Sequence, residues 1–113
     1  MEKISGVGID IVDIKRFKEK NYEDNKIFYE KIFVKSEIDY CLKFKNSEQH
    51  FAGKFAIKEA VKKSIDRQID FLEIVTDHQN SRPVINLGIQ NSYKFLTSVS
   101  HEKDFAIAIV INQ

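Results

Sequence analysis

An α+β fold is what the sequence predicts, and three observations predict it. β-Branched apolar residues crowd both ends of the chain, helical periodicity runs through the middle, and the period changes after residue 66 to that of strands and tight turns. The 113 residues are the length of a single domain spanning 1–113, with no repeat and no low-complexity linker to divide it. One such domain buries roughly two-thirds of its unfolded surface, enough for a core but not for a deep private pocket.

The elements follow in order. Residues 3–12 read as a buried strand, with Ile4, Val7, Ile9, Ile11 and Val12 supplying β-branched bulk. Asp13 is placed to cap a short basic helix through Ile14 and Phe17, which ends before the polar stretch 21–25. A second helix is expected over 26–33. A third opens at Ser36, where acids in the first turn favour the helix dipole. The longest helix begins at Ser47 or Glu48 and continues to Ile65. Phe71, Ile74 and Val75 then mark a strand, 77–83 a turn-rich loop, and 84–87 the returning strand of a hairpin. A short helix is expected at 91–95, and a final β-hairpin joins 95–100 to 105–111 through a polar turn.

Composition narrows the function. Eighteen Lys and Arg against 17 Asp and Glu leave a net charge of +1, which excludes a bulk polyanion binder but permits a local basic site. Cys41 is the single cysteine, so neither an intrachain disulfide nor a cysteine zinc cluster can form. The N-terminal apolar run is interrupted by Asp10 and lacks the form of a signal peptide, and no stretch approaches the ~20 apolar residues of a membrane span. A cytoplasmic protein with no membrane or nucleic-acid partner is expected.

Two carboxylates depart from a plain core. Along an extended strand Gly6, Gly8 and Asp10 share one face, so two glycines bare the backbone beside a charge. Asp10 is then either a solvated residue of an edge strand or a carboxylate for a ligand or metal. Projected at ~100° per residue, Glu59 falls on an arc with Ala52, Phe55, Ala56 and Lys63. It is either half of a surface ion pair with Lys63 or one of two acids, with Asp10, that share a Mg²⁺, an ion that takes one or two carboxylates plus substrate phosphates. Lys54, Lys58, Lys62 and Lys63 add positive charge along the same helix, as a solvated face or as phosphate partners. His101 stands at the mouth of the last hairpin beside Ser98 and Ser100, as a turn residue or a ligand group.

Three blocks then carry a resemblance. Gly8-Ile9-Asp10-Ile11 is followed by Lys15-Arg16, Phe51-Ala52-Gly53-Lys54-Phe55-Ala56-Ile57-Lys58-Glu59-Ala60 is followed by Lys63, and Ser98-Val99-Ser100-His101 precedes an apolar strand. In this order, over nearly the whole chain, they resemble the holo-acyl-carrier-protein synthase type of phosphopantetheinyl transferase. The resemblance implies the fold of that family, a small antiparallel sheet packed with a long central helix and shorter helices. It implies transfer of the 4′-phosphopantetheine arm of coenzyme A to a serine of an acidic acyl carrier protein, a step serving fatty acid biosynthesis, and release of adenosine 3′,5′-bisphosphate. Asp10 and Glu59 would hold Mg²⁺, and Lys63 would touch the leaving phosphate. Lys54, Lys58, Ser100 and His101 would line the coenzyme's phosphates, Arg82-Pro83 would lie near the adenine, and Arg16 would meet the carrier. The short members of that family build their sites between subunits of a homotrimer, so the same assembly is expected. Lys54 stands where the family usually has arginine, Ser81 replaces a glycine, and the glycine-rich loop after the central helix is missing. The rival expectation is a non-catalytic module that binds carrier or coenzyme A.

Overall fold

The first element is a strand, Gly6–Asp13 (β1), whose regular alternation sends one set of residues inward and the other out. The computed structural model describes residues 3–113. After β1 come three short helices, Lys15–Glu19 (α1), Lys26–Glu30 (α2) and Lys35–Leu42 (α3), and the long helix Ser47–Ser64 (α4). A 3-10 turn at Phe71–Glu73 leads into strands Ile74–Gln79 (β2), Arg82–Leu87 (β3), Phe95–His101 (β4) and Phe105–Asn112 (β5). The class is α+β, as expected. β1, β5 and β4 form an antiparallel sheet in that order, while β2 and β3 pair separately.

The sequence explains each boundary. Asp13 Oδ1 accepts the Lys15 N–H at 3.0 Å, but the cap position of α1 is Ile14, one residue later than expected, and no side chain caps it. Glu48 lies in the first turn of α4 and Lys62 and Lys63 in its last, in the order the dipole favours. α4 lies across the inner face of the sheet, and that contact accounts for the small residues there. A Cβ added to Gly6 would stand 1.9 Å from the Ser64 carbonyl oxygen, and one on Gly8 would stand 1.8 Å from that of Ala60. On β5 the inward residues Ala106, Ala108 and Val110 are likewise small and buried. The close approach that the β1 glycines permit is therefore that of a helix backbone rather than of a ligand.

Above the sheet, α1, α2 and α4 meet in an aromatic cluster. Phe51 of α4 lies 4.7 Å from the Tyr29 ring, 5.1 Å from Phe33 and 6.3 Å, stacked, from Phe17. Cys41 of α3 is fully buried at the edge of this core, and burial pushes its thiol up to about 12.

Several expectations need correcting. Val7, Ile9 and Ile11 of β1 lie on the outer face, 55%, 54% and 62% exposed, although the sequence reads them as buried. Alternation shows that a strand has two faces; it does not say which one the helix covers. The helix expected at 91–95 is absent, because Asn91 Oδ1 accepts the Tyr93 N–H at 3.0 Å in a local turn that competes with helix. The loop expected at 77–83 contracts to a two-residue hairpin turn, Asn80-Ser81, with φ of 51° and 66° and with His78 paired to Pro83.

Candidate functional site

The residues singled out from the sequence gather on two sides of α4. Glu59 and Lys63 are one turn apart on one side, and Lys54 lies about 140° around the helix from Glu59. The β1 side holds Asp10, Glu59 and Lys63. The Lys63 ammonium donates to Asp10 Oδ1 at 3.2 Å and to the Ile9 carbonyl at 2.9 Å. Asp10 is 17% exposed and Lys63 53%, so the carboxylate is walled in while its partner reaches in from solvent. Glu59 is half-buried.

The chemistry of this donor set fits Mg²⁺ in one specific way. An ammonium already occupies a cation position on Asp10, and a second carboxylate lies one helical turn away from that lysine. Among the described residues no three His, Cys, Asp or Glu side chains cluster to form a complete protein cage. Mg²⁺ takes one or two carboxylates and fills the rest of its octahedron with water and phosphate oxygens, so the chemistry of Asp10 and Glu59 is compatible with it.

The other side of α4 is a pocket of about 480 Å³ whose lining includes Lys54, Gly53, Tyr40, Thr76, Pro83 and His101. Lys54 Nζ donates to Thr76 Oγ1 at 2.9 Å and to its carbonyl at 3.3 Å, and lies 4.7 Å from the Tyr40 ring centroid. Two of the three ammonium hydrogens are used in these bonds. Desolvation lowers its pKa, and Glu37 and Asp77 act against that shift. Between this pocket and the Asp10 cluster lies β5, so about 10 Å of sheet separates β4 from β1.

The remaining residues fall elsewhere. Lys58 is wholly buried, and its ammonium donates to Glu37 Oε1 at 2.7 Å, to the Ile32 carbonyl at 2.7 Å and to the Phe71 carbonyl at 3.1 Å. All three of its hydrogens are spent inside the core, which corrects the expectation that it lines a phosphate. Ser100 is exposed on the outer face of the sheet opposite Ile107, turned away from its neighbour His101 by the pleat, and so does not join the pocket. Arg82 is exposed and lines an adjoining groove with Pro83, Leu96 and Ser98, outside the Lys54 pocket that Pro83 also lines. Arg16 is exposed on α1, its guanidinium 5.5 Å from the Phe55 ring centroid.

Sequence reasoning missed Glu37, which accepts from Lys58 and, through Oε2, from the Thr76 N–H at 2.8 Å and hydroxyl at 2.7 Å. A signal existed: Glu37 shares a helical face with Val34 and Cys41, three residues before and four after, so it faces inward. Tyr40 was also passed over, and His50 and His78 read as histidines in polar surroundings without a partner; all three line the pocket.

With this geometry in view, the likenesses to known proteins are specific. The family profile described as the 4′-phosphopantetheinyl transferase superfamily matches residues 6–110. A holo-[acyl-carrier-protein] synthase of Clostridium kluyveri is 43% identical, with 96% of this chain and 89% of that protein covered. One from Thermodesulfovibrio yellowstonii is 35% identical over 96% of this chain and 97% of its own. Among solved structures, the Helicobacter pylori holo-[acyl-carrier-protein] synthase in complex with coenzyme A superposes with a TM-score of 0.78 at 33% identity, covering 95% of this chain and 99% of that one. No helix among the described residues is long and apolar enough to cross a membrane.

Proposed function

The chain belongs to the 4′-phosphopantetheinyl transferase superfamily, and from that premise we propose how its own residues carry the reaction. It is a holo-[acyl-carrier-protein] synthase, taking phosphopantetheine from coenzyme A to a serine of apo-acyl carrier protein. The serine oxygen bonds to the phosphorus that bears the pantetheine, the bond from that phosphorus to the bridging oxygen breaks, and adenosine 3′,5′-bisphosphate leaves. Phosphoryl transfer of this kind needs positioning and charge neutralisation more than covalent help.

The Asp10–Lys63 pair carries this reading, because it joins the first and second motifs in space and leaves a carboxylate and an ammonium at one partly open site. Asp10 and Glu59 would hold Mg²⁺, which supplies Lewis-acid neutralisation of pyrophosphate oxygens. Lys63 neutralises charge on the leaving phosphate. Glu59 is the carboxylate of this cluster that Lys63 does not engage in the free protein, and it takes the serine proton. Lys54 and His101 bind coenzyme phosphate from their pocket, with Pro83 against the base, and Arg16 on exposed α1 meets the acidic carrier.

One chain displays these two groups of residues on opposite sides of α4, and a single coenzyme must reach both. Val7, Ile9, Ile11, Leu96, Ile107 and Ile109 also leave an apolar stripe exposed across the sheet. Both observations support a homotrimer in which one coenzyme bridges two subunits, in a cytoplasmic single-domain enzyme. Incubation with coenzyme A, Mg²⁺ and apo-carrier should add one phosphopantetheine to the carrier serine by mass spectrometry. No adduct on any of several carriers would sink the reading. Sedimentation should show a concentration-dependent trimer, and full activity from a dilute monomer would contradict the shared site.

A further inference from the structure

All three histidines of the chain line the Lys54 pocket. The function above uses His101; His50 and His78 belong to none of the three motifs. Given the reading of Lys54 and His101 as coenzyme-phosphate contacts, on which this rests, we propose that His50 and His78 make the pocket a proton-linked site for a phosphate monoester. The anion would enter together with protons taken from solvent onto these imidazoles.

The geometry carries it. His78, on β2, stacks on Tyr40 of α3 with centroids 4.5 Å apart and planes at 19°. Its Nε2 lies 3.4 Å from the Tyr40 hydroxyl, and its Nδ1 is buried with no hydrogen-bond partner among the described residues. A buried ring nitrogen without a partner is costly unless a ligand completes it. His50, on α4 one turn before Lys54, stacks on Phe44 at 3.7 Å and stands 6.4 Å from the His101 ring. The two rings are thus held by aromatic faces from α3 and its C-terminal end, and they share a pocket with an ammonium and a third imidazole.

The charges around them set the sign. His50 feels Lys54 and Glu48 on its own helix, His101 from β4 and His78 from β2, with the Tyr40 ring at its edge. Burial, then repulsion by His101, His78 and Lys54, lowers its pKa, and Glu48 acts weakly the other way. His78 faces Lys54, Tyr40 and its neighbour Asp77; burial and Lys54 lower its pKa while Asp77 raises it. Both rings are therefore disposed to be neutral in the free protein at pH 7. A phosphate monoester, with its second pKa at about 6, brings nearly two negative charges at that pH. It adds countercharge to a pocket where Asp77 alone faces three imidazoles and an ammonium, and each ring that protonates gains a charge-assisted hydrogen bond. Between the lowered free-state pKa and the higher value with anion bound, binding takes up protons and affinity falls as pH rises. Above the bound-state value the dependence ends.

Coenzyme A carries one phosphate monoester, and dephospho-coenzyme A carries none. Titration calorimetry at pH 7 in two buffers of different ionisation enthalpy measures the protons taken up with each. The expected result is net uptake with coenzyme A, none with dephospho-coenzyme A, and reduced uptake in His50→Gln and His78→Gln. Coenzyme A affinity should also fall by up to about tenfold per pH unit for each proton taken up. Binding of coenzyme A without uptake, or equal uptake with both ligands, overturns this inference and leaves the transferase reading standing. Failure of coenzyme A to bind at any pH overturns both. If one variant misfolds the other decides, because uptake undiminished by its substitution would place the proton on His101 and overturn the assignment.

Discussion

Lys58 and Glu59 follow one another on α4, yet Lys58 closes a network inside the core while Glu59 shares a face with Lys63, whose ammonium reaches Asp10. On the inner side every hydrogen of the ammonium and both carboxylate oxygens of Glu37 are engaged, and neither side chain sees solvent. On the outer side the pair is loose, one partner half in water. A saturated ion pair is a bolt that ties α3, α4 and β2 together; an unsaturated one has room for a substrate. Two lysines of one helix, each paired with a carboxylate, thus serve stability and chemistry, and the number of unspent donors tells them apart.

The largest effect should come from Lys58→Met. Leaving Glu37 buried and unpaired costs about 3–5 kcal/mol, seen as a lowered urea midpoint, and Lys58→Met with Glu37→Leu should recover part of it. A Lys58→Met protein of normal stability that no longer binds coenzyme A would break the distinction and return Lys58 to the site. Gly8→Ala should cost about 3 kcal/mol by forcing α4 off β1 and should lower transfer as well, since Glu59 and Lys63 ride on the displaced helix. Stability loss with transfer kept would show that the site tolerates movement of α4. Asp10→Ala and Glu59→Gln should each reduce carrier modification at least about a hundredfold, with thermal midpoints near the parent's. Ser81→Gly should act on neither network: it relieves a left-handed φ of 66° and should stabilise by about 0.5–1 kcal/mol, a rise of roughly 3–5 °C in Tm.

What the sequence made legible is what depends on local order. α4 and the β4–β5 hairpin lie within a few residues of their expected bounds, whereas the ion pair of Lys63 with Asp10 replaces the expected pairing of Lys63 with Glu59. The rest depended on which face met which. The inward side of β1 is glycine and aspartate, so apolar weight pointed to the wrong face until the helix contact supplied the reason for the glycines. Lys58 read as a phosphate-lining lysine because its acceptors come from residues 32, 37 and 71, separations that no motif records. His50 and His78 lie 28 positions apart and meet only because β2 returns beside α4.

Cys41 lies on α3, in the seam between the aromatic core and the Glu37 network, fully covered and with a thiol that ionises only near pH 12. A thiol reagent cannot reach it while α3 stays seated against α4. The chain therefore carries a single internal clock: labelling of Cys41 in the native protein reports the open population of that seam, and its opening rate where reagent is concentrated enough for labelling to outpace reclosing. Because the same seam is bolted by Lys58 and walls the pocket through Tyr40, slowing of the label by coenzyme A would time the coupling between ligand and breathing of the fold without any added probe.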